Sequence, residues 1–594
     1  MKKFLFICFF FPYLIIGQTL YNPQQLYDNP GGFFEEDSIR EIYLTFYDSD
    51  YHTILVDSWF YNPSYRIPAQ LTLNGVLYDS VGVRYKGNST FCLPNDNFSP
   101  KVPYNIDMNY FIGGQKLLGY KKMKLANAWM DPTFAKQIVS SNIYRKYLPT
   151  GESNLVKLYV QGDYNGLYVN DESINKQFLE KHFDEKSGPL FKCDNIDRFC
   201  DTANAPSAMP PNLYYMGDDS TLYYNSYDMK SDNGWLELIQ LIKTINLDFQ
   251  NIDTILNVDR VLWAFAVNQV VANLDCYNTY YIHNYYLYQT EDGLFQMIPW
   301  DLDNSFVGAI MGWDFWSPSN VYQYDAYYEG PPLGGTTQPW DERPLLYNLL
   351  NEPLYRKIYT AHIRTIINES LDTAAIRSNI NQLQALAYTA ANQDQYKVFS
   401  MNEYFSNAEN AIWANFGWGF GGIMSTVNER KSYLLSHPEI SYQAPNLYGL
   451  NINNNVITIN VDNAINVELM ATTSEYNSRF ESFVMHDDGT NGDILANDGV
   501  YTALLPFSSG LEIKFYIRAQ NNEAVSLLPE RAEYEFYEYS IPSNLPSFTN
   551  DNTRLLIEVR DLLGRRIYDA TDYYNIPLLY IYDNGVIEKK VIVK

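Results

Sequence analysis

Cysteine and histidine are both scarce here, five and six in 594 residues. No Cys/His spacing suits a zinc site, so metal chemistry in this chain would have to run on oxygen ligands. Basic residues are also in short supply, with 42 Lys and Arg against 69 Asp and Glu and a net charge of −27. A field of that sign repels nucleic acid and anionic lipid, and there is no long basic run, so no nucleic-acid partner is expected. Beyond the first residues no apolar run is long enough to cross a bilayer, so no membrane span is expected. The Asp-rich stretches do not follow EF-hand spacing.

What is abundant is apolar and aromatic surface, 46% and 16% of the residues. That is enough for a large core and unlike a disordered chain. The first residues, MKKFLFICFFFPYLIIGQTL, place two lysines before an apolar stretch that ends at Gly17. This reads as a secretory signal peptide over 1–17, removed near Gly17. Export makes disulfides possible. Cys193 and Cys200 bracket DNIDRF and are candidates to close a small loop, although spacing does not fix connectivity.

Residues 18–37, rich in Asn, Pro, Gly and Gln, read as a tail. EIYLTFY and QLTLNGVLYDSVGVRYKG read as strands with a turn at Asn74-Gly75. NLVKLYVQGDYNGLYVNDE reads as a hairpin turning around Asp163 and Asn165. VDRVLWAFAVNQVVANLD is apolar nearly all round and reads as a buried helix with Asp275 at its C-terminal end. YYIHNYYLYQTEDGLFQMIPWDLD reads as two strands around a turn at 291–293, and helical signals run from Pro344 to about Leu435. Residues 439–542 carry short strands with Asn-rich turns, as in a β-sandwich. SNLPSFTNDN, 543–552, reads as a linker into a small β-module ending at 594.

Asp275, Asn284, Asp301 and Asp303 carry the chemistry. The helix dipole disfavours a carboxylate at a helix C-terminus, so a capping role explains Asp275 poorly. A hairpin returns Asp301 beside Asn284. An Asp, an Asn and a second Asp at one strand end match what Mg²⁺-dependent phosphoryl transfer needs: one carboxylate for the attacking hydroxyl, and hard oxygens for the metal on the nucleotide.

VGVRYKGNST (81–90), KVPYNIDM (101–108), the Leu125-to-Asp131 region with DPTF, YNGLYVNDE (164–172), VANLDCY (271–277), HNYYLY (283–288) and IPWDLDNSF (298–306) stand in the order of a known family. The stretch from about 38 to 435 thus resembles the spore coat protein H (CotH) kinases, atypical protein kinases of secreted proteins. The resemblance implies ATP and Mg²⁺ as cofactors and a secreted or surface protein as substrate. It makes Asp275 the catalytic aspartate, and Asn284 and Asp301 metal ligands with Asp303 assisting. It puts Arg84, Lys101, Lys124 and Glu172 on the nucleotide. Lys86 and Lys122 compete with Lys101 and Lys124 for the phosphates, and Asn278 competes with Asn284. The implied fold class is α+β: an atypical protein-kinase-like domain over 38–438, then a β-sandwich and a small C-terminal β-module.

Two further segments stand apart. HDDGTNGDILANDGVYTALLP (486–506) groups Asp487, Asp488, Asp493 and Asp498 among glycines, which fits either Ca²⁺ or an ion-free Asp/Gly turn. The last module, through VRDLLGRRIYD and LLYIYDNGVIEKKVIVK, resembles a type IX secretion sorting domain. That resemblance implies the type IX secretion machinery as a partner and a surface or extracellular location. The competing functional reading is a catalytically inactive adhesion or structural protein on a kinase-like scaffold. A carboxylate-pair glycosidase would explain neither the Asn nor the ordered motifs.

Overall fold

In the computed structural model, a mixture of helix and sheet, the described residues are 18–591 apart from 28–29, 195–199, 201–208, 280, 311–320, 330–341, 508–509, 542–555, 568–572, 574 and 583–586. The signal segment and the 543–552 linker lie outside them.

The strands between Arg40 and Asp171 form a closed barrel. Its strands run in the order Arg40–Phe46, Ile67–Leu73, Val76–Tyr85, Tyr104–Asp107, Lys122–Ala126, Asp163–Asp171 and Ser153–Val160. The last pairs in parallel with the first, Ile42 opposite Leu158, and so closes the ring. Alternation drives it: Ile42, Leu44, Leu71, Val83, Ile106 and Leu158 are all buried in one cluster. The Asn74-Gly75 turn joins two of these strands, with Asn74 at φ 52° and Gly75 at φ 77°. The hairpin expected to turn near Asp163 and Asn165 turns earlier, at Gln161-Gly162, where both residues have positive φ (53° and 92°).

Below the barrel, helices enclose an antiparallel sheet ordered Tyr227–Met229, Leu190–Cys193, Tyr285–Gln289, Phe295–Pro299. The central helix, Val258–Val270, buries all of its residues except Asp259, as its all-round apolar character requires. It stops at Val270, so Asp275 sits five residues further on, in the loop rather than at the helix end.

The tail expected over 18–37 is tied down. Thr19–Tyr21 pairs with Phe536–Ser540. Phe33 and Phe34 are buried in the barrel cluster, and the Phe33 carbonyl accepts from Asn154 Nδ2 at 3.1 Å. Polar composition concealed these two aromatic anchors. Residues 446–540 form two antiparallel sheets, one of three strands and one of six that includes the N-terminal strand. Met470, Tyr516, Val525, Leu527 and Ala532 join the same core as the central helix, so no boundary free of contacts falls after 438.

Cys92 bonds to Cys200, 108 residues away, while Cys193 is a free, buried thiol. The Cys193–Cys200 pairing is therefore corrected: Cys193 lies within a sheet strand with its side chain in the core, and Cys200 meets the barrel instead. Residues 541–594, with the 507–511 loop, form a second compact unit. Its four strands are ordered Arg566–Ile567, Leu556–Asp561, Pro577–Tyr582, Ile587–Val591, all antiparallel. Among the described residues no helix is long and apolar enough to cross a membrane.

Candidate active site

A cleft of about 1320 Å³ opens between the barrel and the lower sheet. Its floor is built by the end of one hairpin. Tyr285 pairs with Pro299, and Trp300 N donates to Asn284 O at 3.1 Å, so Asn284 and Asp301 meet at the open end. Both hold left-handed backbone, φ 59° and φ 58°. Non-glycine residues in that region cost about 1 kcal/mol or more and cluster where a side chain must be aimed.

Asp275 arrives from the loop after the central helix. That loop is pinned by buried amides: Asn268 Nδ2 donates to Asn278 Oδ1 at 2.8 Å, and Asn278 Nδ2 to Phe265 O at 3.1 Å. Asn278 is thus a fully buried strut turned into the core, and Asn284 is the asparagine in the cleft. The Asp275 carboxylate accepts from three donors. His283 Nε2 lies 2.7 Å from Oδ1. Asn284 Nδ2 at 3.1 Å and Asn304 Nδ2 at 3.0 Å both donate to Oδ2. Burial opposes protonation of His283, yet Asp275, with Asp194 and Asp301 behind it, pulls its pKa up to about 9.

Asp301 and Asp303 are half-buried in the same cleft, and no hydrogen bond or ion pair within the described residues reaches either carboxylate. Burial raises the pKa of both. For Asp303 the charges of Asp301, Asp275, Asp171 and Asp131 push it well above the ordinary carboxylate range. Asp171 is lifted to about 6 by burial, with Asp301 adding to the rise. Across from these acids stand ammonium groups. Lys124 sits 5.1 Å from the Trp300 ring centroid and Lys192 4.1 Å. Burial, then the like charges of Lys86 and Lys192, hold Lys124 well below its usual range. Arg84 lines the cleft, anchored by Nη1 on the Pro63 carbonyl at 3.0 Å.

Two residues expected at the nucleotide lie elsewhere. Lys101 is fully buried and ion-paired with Asp394, between the Phe134 and Tyr168 rings. A partner 293 residues away has claimed it. Glu172, just past the end of the Asp163–Asp171 strand, is buried and pairs with Lys181 at 3.3 Å beside Glu152. Its neighbour Asp171 faces Lys86, Lys124 and Asp301. His283, Asn304, Asp171 and Lys192 escaped the sequence reading, although His283 and Asn304 directly adjoin Asn284 and Asp303 in motifs already singled out.

In the sandwich loop, Asp487, Asp493 and Asp498 bring carboxylate oxygens within 4.8 Å of one another. Asp488 is not among them: it caps Thr490 N at 2.9 Å and faces His486. The loop's own backbone donors already serve the acids, Asp498 N and Gly499 N on Asp487 and Gly489 N on Asp493.

The family model described as CotH kinase protein matches residues 83–434. The chain belongs to the CotH kinase family. No curated protein matches it. The family match covers the barrel strands from Val83 onward, the cleft floor and the helices below it, and it stops before the sandwich.

Proposed function

We propose that this CotH family member is a protein kinase, transferring the γ-phosphate of ATP to Ser or Thr hydroxyls of extracytoplasmic proteins with Mg²⁺. One observation carries the reading. The cleft holds two opposed sets of like charges: carboxylates at Asp301 and Asp303, with Asp171 next to them, and ammonium groups at Lys86, Lys124 and Lys192, the last ion-paired with Asp194. A divalent cation relieves the first set and a polyphosphate the second, and a metal–nucleotide complex supplies both. The donors are hard oxygens, as Mg²⁺ requires; the nearby Cys276 thiol is buried against Thr279 Oγ1 at 3.0 Å.

Asp301 and Asn284, with Asp303 assisting, would hold Mg²⁺, which when bound neutralises and orients phosphate oxygens. Lys86, Lys124 and Lys192 would receive the phosphates, with Arg84 at the barrel wall. A carboxylate offers about four lone-pair directions. Two on Oδ2 and one on Oδ1 of Asp275 are taken, which leaves one on Oδ1 for the proton of an attacking hydroxyl. His283, Asn284 and Asn304 fix that carboxylate's orientation. The N-terminal signal and the C-terminal module would export the chain through the type IX machinery to the surface or medium.

The test is incubation of the full chain with γ-labelled ATP, Mg²⁺ and a Ser/Thr acceptor. Wild type should label the acceptor, and Asp275→Asn and Asp301→Asn should fall by about 10²-fold or more. Equal label from all three proteins overturns the kinase reading and leaves the inactive scaffold.

A further inference from the structure

The cleft carries more positive charge than a nucleotide needs. Eleven of the chain's 42 Lys and Arg line it, against six Asp and Glu, in a protein whose net charge is −27. The four cations at the phosphate end suffice for a triphosphate. Three of the remaining seven, Lys116, Lys121 and Lys176, form a separate flank, on the 108–121 connection between two barrel strands and the start of the Lys176–Phe183 helix. Two hydrogen bonds weld these elements together: Gln177 Nε2 donates to Gly119 O at 2.9 Å, and Lys121 N to Gln177 Oε1 at 3.4 Å. Lys116, Lys121 and Lys176 are exposed there, and among the described residues no carboxylate lies within ion-pairing distance of any of them. Glu180 is the acid of this flank, and Lys186 already holds it.

Unpaired lysines on the rim of the cleft that also holds Asp275, on a strongly acidic protein, call for an anionic partner. Duplex nucleic acid would bring its charge against the acidic remainder of the surface. An extended peptide engages the rim alone. We infer that this flank selects acidic protein substrates, binding Asp, Glu or phosphorylated side chains flanking the target hydroxyl. The inference rests on the kinase reading for the position of the target hydroxyl, but the binding it describes does not depend on transfer.

The experiment uses the full chain and fluorescein-labelled decapeptides with a central serine flanked by Glu, Gln or Lys. Binding is read by anisotropy and transfer by labelled ATP. The Glu peptide should bind tightest, weaken as salt rises, and lose about tenfold or more in affinity with Lys116→Glu/Lys121→Glu/Lys176→Glu. The Glu-to-Gln preference ratio should collapse in that variant. Equal binding of the Glu and Lys peptides by wild type overturns the inference, as does tighter binding of a duplex DNA of matched charge. Glu-peptide binding that survives the triple reversal overturns it too. If the Glu peptide binds selectively while no peptide is phosphorylated, the kinase reading fails and the acidic-ligand site stands.

Discussion

Asp303 shows what the site costs the fold. It is half-buried, unpaired and surrounded by four other aspartates, so its charged form works against folding until a cation arrives. Asp303→Asn should therefore stabilise the metal-free protein while removing transfer. Relief of about 1 kcal/mol would raise the melting temperature by roughly 2 °C in EDTA. The same substitution should shrink the stabilisation that Mg²⁺ confers on wild type; a melting temperature that drops in EDTA would contradict this. His283 makes a second case. As a positioning residue on Asp275 Oδ1, its loss in His283→Ala should lower kcat by roughly tenfold to a hundredfold and leave KM for ATP within about twofold. His283→Gln, which restores a donor, should recover most of the loss; failure of that rescue would argue for a bulk role instead. At this scale the sequence was legible where motif and geometry coincide, as for Asp275, Asn284, Asp301 and Asp303, which share the cleft. It was opaque where a distant partner decides the matter: nothing near Lys101 announces Asp394, and nothing in Asp171-Glu172 says which of two adjacent acids faces inward.

Elements were easier to read than their connections. Apolar alternation marks the barrel strands and all-round apolarity marks the central helix, because both periods are local. Barrel closure through a parallel pair, by contrast, joins Arg40–Phe46 to Ser153–Val160 across more than a hundred residues and leaves no local trace. The disulfide is similar. Cys92 lies in the Ser89–Asp96 helix, whose start lines the cleft together with Gly87 and Asn88, and it ties Cys200 to the barrel. A closed loop of 108 residues restricts the unfolded chain strongly. Cys92→Ser/Cys200→Ser should cost about 2–5 kcal/mol in urea unfolding, and dithiothreitol should lower wild type to the level of the variant while leaving the variant unmoved. A reductant-insensitive wild type would show that the bridge does not form.

For the whole molecule, the consequential joint is the seam between the helices below the barrel and the two sheets that follow them. The 531–535 segment lies against the central helix and its neighbour. Trp263 Nε1 donates to Ala532 O at 3.0 Å, Glu533 N to Asp259 Oδ2 at 3.0 Å, and Arg531 pairs with Glu369 at 2.7 Å. Glu533 is the strained member. Burial and then the Asp259 charge raise its carboxyl to about 7, despite a 2.7 Å bond from the Tyr516 hydroxyl. A carboxyl raised in the folded state favours folding while protonated. That contribution is full below its unfolded pKa of about 4.5 and is lost as pH climbs through about 7. Glu533→Gln keeps an oxygen for Tyr516 and cannot ionise. In urea unfolding it should match wild type near pH 4 and exceed it near pH 8.5, by roughly 1–3 kcal/mol, the upper end being the full shift. Because the same seam anchors both the sandwich sheets and the helix that precedes Asp275, wild type should also lose transfer activity at high pH at lower urea than the variant. If stability and urea-dependent activity of the two proteins run parallel from pH 4 to 8.5, the seam does not carry the pH dependence assigned to it.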